Sequence, residues 1–216
     1  MKHLTGLLLA LVLCVFGGEA FAQISDVNSA INKAGRQRML SQRMAKVYFQ
    51  IGQQVEVERS KKALDASVAL FDRQLVELKN YSPTPEIREP YQKLEKSWIA
   101  YKDLLLGSMP AKENGSKVLA FSEEVLALAQ QGTVQLEKYA GSNAGRLVNI
   151  SGRQRMLSQR MAKFYQALAW SVGNDSSASD LDKAQKEFAA AHKELAAAPV
   201  NTAKIQESLE LVNQQW

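Results

Sequence analysis

Apolar positions along this chain recur every three to four residues, and few windows alternate apolar and polar as a half-buried strand would. The pattern predicts helices over 25–57, 60–80, 85–107, 115–139, 143–172, 178–198 and 201–216, and so an all-α, antiparallel helical bundle. The breaks between them have local causes. Ser82-Pro83-Thr84-Pro85 stops one helix and starts the next, and Met109-Pro110 through Asn114-Gly115 reads as a loop. Gly173 to Ser177 is a polar turn, and Pro199 ends an Ala-rich helix. At Gly141-Ser142-Asn143 both a kink and a full break fit the pattern.

Comparing the chain with itself is more informative than any single window. The dodecapeptide from Gly35 to Lys46, GRQRMLSQRMAK, recurs unchanged from Gly152 to Lys163, 117 residues later. In the same register Asn32 pairs with Asn149, Tyr48 with Tyr165, Leu64 with Leu181, Phe71 with Phe188 and Leu78 with Leu195. One residue of slippage then aligns Ile87 and Trp98 with Ile205 and Trp216. The expected organisation is a signal peptide over 1–22, a first helical repeat over 23–140, and a second over 141–216 that is truncated after three helices. Core packing alone tolerates apolar swaps. Twelve identical residues amid divergent flanks therefore imply a more specific constraint.

On a helix advancing about 100° per residue, Leu40, Met44, Val47 and Ile51 form an ordinary core stripe. Roughly opposite lie Ile31, Gly35, Arg38, Gln42, Ala45 and Phe49, matched by Val148, Gly152, Arg155, Gln159, Ala162 and Gln166. Gly and Ala at the close-approach points let a second helix come near, although Gly costs a helix about 1 kcal/mol against Ala. Arg38 and Arg155 sit on this stripe and have no acid within the motif. A planar guanidinium fork suits a planar or carboxylate anion. The candidate ligand-binding residues are therefore Arg38, Arg155, Gly35, Gly152, Gln42 and Gln159. The competing reading gives solvated arginines, or arginines paired with acids such as Glu77 and Glu95 from other helices.

Composition and targeting narrow the class. Lys2, the apolar run from Leu4 to Phe16, and Ala20-Phe21-Ala22 form a secretory signal pattern with cleavage expected near Ala22/Gln23. The single cysteine, Cys14, would leave with it, which suits a periplasmic protein and removes disulfides and thiolate chemistry. The net charge is +5. Export makes nucleic acid a poor partner for that charge and points to small anions or acidic surfaces. His192 stands alone on an Ala-rich helix, and no phosphate loop or haem or metal motif is present, so neither catalysis, a cofactor nor a metal is expected. Met39, Met44, Met156 and Met161 read as packing residues, with Met44 and Met161 in the core. Arg59, Lys61 and Lys62 read as a solvated basic turn.

The segments Asn32 to Met44 and Asn149 to Met161 resemble the PilJ/NarX-like sensor family, the periplasmic helical input domains of type IV pilus chemotaxis transducers and nitrate/nitrite sensor kinases. The family's nitrate-binding segment has the form Asn-x-Ala-Gly-x-x-Arg-Met-x-Ser-x-Arg. Asn32, Ala34, Gly35, Arg38, Met39, Ser41 and Arg43 match it, and in the second copy only Ser151 departs, replacing the Ala. The resemblance implies that Arg38 and Arg155 contact the anion, with nitrate or nitrite the first expectation. In the nitrate sensors two such arginines meet across a dimer interface. Here they are expected to meet either within one chain or across a homodimer. The sequence as it stands shows neither a second membrane span nor a kinase or methyl-accepting region. A signal is thus expected to pass through a partner such as a membrane transducer or sensor kinase. The other expectation is an interaction protein that docks on a transducer, a pilus component or itself.

Overall fold

The structure is a computed structural model that describes residues 24–216. The signal peptide expected over 1–22 lies outside the described residues. Seven helices follow one another: α1 (Val27–Gly52), α2 (Val57–Tyr81), α3 (Pro85–Leu106), α4 (Lys112–Ala140), α5 (Asn143–Ala169), α6 (Ser177–Ala196) and α7 (Ala203–Gln215). None of them is long and apolar enough to cross a membrane.

The helix ends follow the punctuation in the sequence. Asp26 caps α1 by accepting from the Ser29 amide at 3.0 Å, and Ser142 caps α5 by accepting from Gly145 at 3.1 Å. Gly141 closes α4 with a φ of 56°, a left-handed conformation that suits a residue without a Cβ. The junction between α4 and α5 is therefore a full break. The helix expected to run to 57 stops at Gly52 instead. The Gln54 amide bonds back to Ile51 O and that of Val55 to Gln50 O, with Gln54 at a φ of 60°. The second copy makes the same turn. Ser171 bonds to Leu168 O and Val172 to Ala167 O, with Ser171 at a φ of 57°. Gln54 and Ser171 are 117 residues apart, so the backbone repeats where the side chains do not.

Consecutive helices run antiparallel. Lys33 meets Glu77 and Gln37 meets the Phe71 carbonyl across α1 and α2. Asp72 takes the Trp98 indole N–H at 2.7 Å and Lys102 at 2.5 Å across α2 and α3. Tyr91 packs against Gly132 across α3 and α4. Between the copies the order changes. Ile31 lies at Gly145, Gly35 at Gly152 and Gln53 at Gln166, so α1 and α5 run parallel. Their N-terminal ends lie together and so do their C-terminal ends.

Helix α1 is the centre of the molecule, packed by α2, α4 and α5. Its core residues include Ile31, Leu40, Met44, Tyr48 and Phe49, all at or near zero exposure. Both of its stripes are therefore buried, the apolar one and the one bearing Arg38 and Gln42. The duplication is visible in the hairpins too. Phe71 stacks on Trp98 with ring centroids 4.0 Å apart, and their counterparts Phe188 and Trp216 stack at 4.4 Å. Trp98 is buried whereas Trp216 is exposed. A smaller cluster of Met156, Leu157 and Ala184 forms a second core. There Met156 is buried and Met161 only partly so, the reverse of the expected assignment.

Candidate functional site: the seam between the two motif helices

The repeated dodecapeptides meet each other. A Cβ added to Gly35 would stand 3.4 Å from the Gly152 Cα, and one added to Gly152 would stand 3.4 Å from the Gly35 Cα. This close approach explains why both copies carry glycine inside a helix at a cost in propensity. From the crossing the two arginines reach in opposite senses. Arg38 donates through Nη2 to Asn149 Oδ1 at 2.7 Å, and Arg155 donates through Nη2 to Asn32 Oδ1, also at 2.7 Å. Each arginine grips the asparagine that opens the other copy's motif. The arrangement is a local two-fold within one chain.

Both guanidinium groups border the same point. Arg38 Nη2 lies 3.2 Å and Arg155 Nη2 lies 3.7 Å from the position a Gly152 Cβ would take. Neither has a carboxylate within ion-pair distance among the described residues. Arg38 is fully buried, and its further partners are Gln130 Oε1 and the Asn149 carbonyl, both uncharged. Its Nε carries no partner. Burial, reinforced by repulsion from Arg153 and Arg155, pushes its guanidinium down to about 10. It stays cationic at neutral pH, held at a desolvation cost that no direct ion pair offsets among the described residues. Glu137 is the nearest help, one step removed, as it accepts from the Asn149 amide. Arg155 is exposed by comparison. What burial it has, followed by repulsion from Arg36, also lowers it.

The other expected site residues fall at different places. Gly35 and Gly152 form the crossing itself. Gln42 is buried and donates to the Ser122 carbonyl on α4 at 2.8 Å, not toward either arginine. Gln159, its counterpart, is half-buried with its side-chain oxygen unpartnered. Glu77 and Glu95, the acids weighed as partners for the arginines, are taken by Lys33 and Lys79, each at 2.6 Å. Sequence reasoning did not assign Asn32, Asn149 and Gln130 to the site. The in-register repetition of the two asparagines carried that signal. Nothing local pointed to Gln130, which is 92 residues from Arg38.

The family model for the type IV pili methyl-accepting chemotaxis transducer N-terminal domain, PilJ, matches residues 20–132 and 140–216. The chain belongs to the PilJ family. It carries the PilJ domain twice in tandem: the first match ends within α4, and the second begins at Ala140, the last residue of α4, just before the break to α5. No curated protein and no solved structure matches the chain. PilJ domains are signalling domains, the sensory N-terminal regions of chemotaxis transducers. Among the described residues no group of three His, Cys, Asp or Glu side chains is placed to hold a metal ion.

Proposed function

We propose that this tandem PilJ protein is a periplasmic sensory module that takes a small oxyanion, nitrate or nitrite first, at the α1–α5 seam and passes the signal through a partner protein. One observation carries the reading: Arg38 and Arg155 flank a single point at the Gly35–Gly152 crossing with only amide oxygens as acceptors. A buried guanidinium without a counter-charge favours an anion. Asn149 and Asn32 hold the positions that anion oxygens would take. An oxyanion entering past exposed Arg155 would replace neutral acceptors with charged ones, and charge-assisted hydrogen bonds are shorter and stronger. Any change in how the arginines reach across would alter the fit of two helices in direct backbone contact. That is a route from ligand to helix geometry.

A second reading has its own support. Arg38 has no exposed surface and already makes three hydrogen bonds, which suits an interaction protein whose motif holds its own two halves together. Calorimetric titration with nitrate, nitrite, formate and acetate separates the two. The sensing reading expects binding by one of the planar anions and its loss in Arg155→Ala, a substitution at an exposed position that leaves the fold intact. Absence of heat with all four anions favours the interaction reading.

A further inference from the structure

The dodecapeptide carries a second cationic pair, Arg43 with Lys46 and its copy Arg160 with Lys163, that the seam does not use. In the second copy this pair is occupied. Glu123 from α4 receives Arg160 at 2.6 Å and Lys163 at 2.5 Å. Lys163 is fully buried there, and its ammonium also reaches the Ser122 hydroxyl at 3.1 Å. Burial alone would raise the Glu123 carboxyl, but Lys163 and Arg160 outweigh it and hold it below the usual carboxylate range. The Arg-x-x-Lys pair in this sequence context is thus a working carboxylate clamp.

In the first copy the same pair faces a pocket of about 230 Å³ between α1 and the start of α2. Arg43, Lys46 and Gln50 line it from α1, and Arg59 and Ser60 from the first turn of α2. None of Arg43, Lys46 and Arg59 makes an ion pair among the described residues. The one acid in the wall, Glu56, is exposed and lies beyond ion-pair distance of all three. Burial lowers Lys46, and repulsion from Arg43 and Arg59 lowers it further. Arg59 is exposed, as the basic-turn reading expects, yet it forms part of a concave wall. The N-terminus of α2, a 25-residue helix, begins at this wall, and its partial positive charge adds to that of the side chains.

We propose that the Arg43–Lys46–Arg59 pocket is a second anion site, separate from the α1–α5 seam, which takes a dianionic oxyanion of phosphate or small-dicarboxylate size. The ligand fills the place that Glu123 fills in the second copy. Arg43 and Lys46 hold one pole of it and Arg59 holds the other, with the Ser60 hydroxyl joining Arg59 by leaving its long contacts to Gln50 Oε1 and the Val55 carbonyl. Three cations against one acid in the wall favour a dianion over nitrate.

The test is calorimetric titration of the full chain with inorganic phosphate, with malonate and with nitrate, in the parent protein and three variants. Arg59→Ala lies at an exposed position and should weaken binding about tenfold, as expected for loss of one charged hydrogen bond. Ala63→Glu places a carboxylate in the pocket wall and should abolish binding. Arg155→Ala, at the seam, should leave it unchanged, so this site and the sensing site succeed or fail separately. Tighter binding of phosphate assigns an inorganic or phosphorylated ligand, and tighter binding of malonate a carboxylic one. The proposal is overturned if neither dianion binds the parent at concentrations up to about 10 mM, the weak end of specific recognition. It is equally overturned if binding survives both Arg59→Ala and Ala63→Glu undiminished.

Discussion

The two copies of the dodecapeptide are identical in sequence and unlike in surroundings. In the first, Arg38 and Gln42 are sealed beneath α4, and Arg43 and Lys46 face a pocket without a carboxylate partner. In the second, Arg155 is exposed, while Arg160 and Lys163 are locked onto Glu123. A single helix, α4, accounts for much of the difference. It lies along α1 and touches α5 only through a few residues, Glu123 and Glu137 among them. The crossing itself stays symmetric: two glycines, two arginine–asparagine bonds of 2.7 Å, and the pair of matching turns at Gln54 and Ser171. The chain keeps the repeat at the crossing and in the hairpins, where Gln37 meets the Phe71 carbonyl and Gln154 the Phe188 carbonyl, and abandons it around α4.

The largest consequence concerns the arginines. Arg38→Ala leaves a cavity and orphans the Gln130 and Asn149 acceptors, so it should cost about 2–4 kcal/mol in urea unfolding. Arg155→Ala, at an exposed position, should stay within about 0.5 kcal/mol. Equal losses in the two variants would break the comparison.

The glycines should behave alike. Gly35→Val and Gly152→Val each push a branched side chain into the opposite backbone, and each should cost about 1–3 kcal/mol by overpacking. A marked difference between them in thermal unfolding would mean that the crossing is not the shared contact described.

The smallest effect is a pH dependence to which the second copy's clamp contributes. Burial pushes Lys163 down to about 8 against the pull of Glu123, from an ordinary value of 10.5. Between those values the unfolded chain binds a proton that the folded chain has released, so stability rises as pH climbs from about 8 toward 10.5. Below about 8 both states are protonated and this contribution is flat. Lys163→Met should reduce the rise, measured as the difference in urea midpoint between pH 8 and pH 10.

Much of the fold was legible because its punctuation is chemical. Prolines at 83, 85 and 199, and the glycine at 141, sit where helices stop or start, and the periodicity between them was unambiguous. The end of α1 was misplaced because Gln53 to Glu56 contains no breaker. The left-handed residues there, Gln54 and Glu56, are not glycines, so residue type does not announce the turn. At the site, the identity of the two motifs located Gly35, Gly152, Arg38 and Arg155. That same identity hid everything that distinguishes the copies. Gln42 could not be tied to the Ser122 carbonyl, nor Lys163 to Glu123, because those partners lie 80 and 40 residues away on α4.

The two motifs pair with each other inside one chain, in parallel. Gln53 and Gln166 test it directly, since they meet at the C-terminal end of the seam, amide to amide at 2.9 Å, and are partly exposed. The measurement is cross-linking of Gln53→Cys/Gln166→Cys, with Cys14→Ser, by a short bis-maleimide at high dilution, resolved by mass. A cross-linked monomer joining the two positions within one chain is expected. Cross-linking that yields only covalent dimers, with residue 53 joined to residue 53 of another chain, would contradict it.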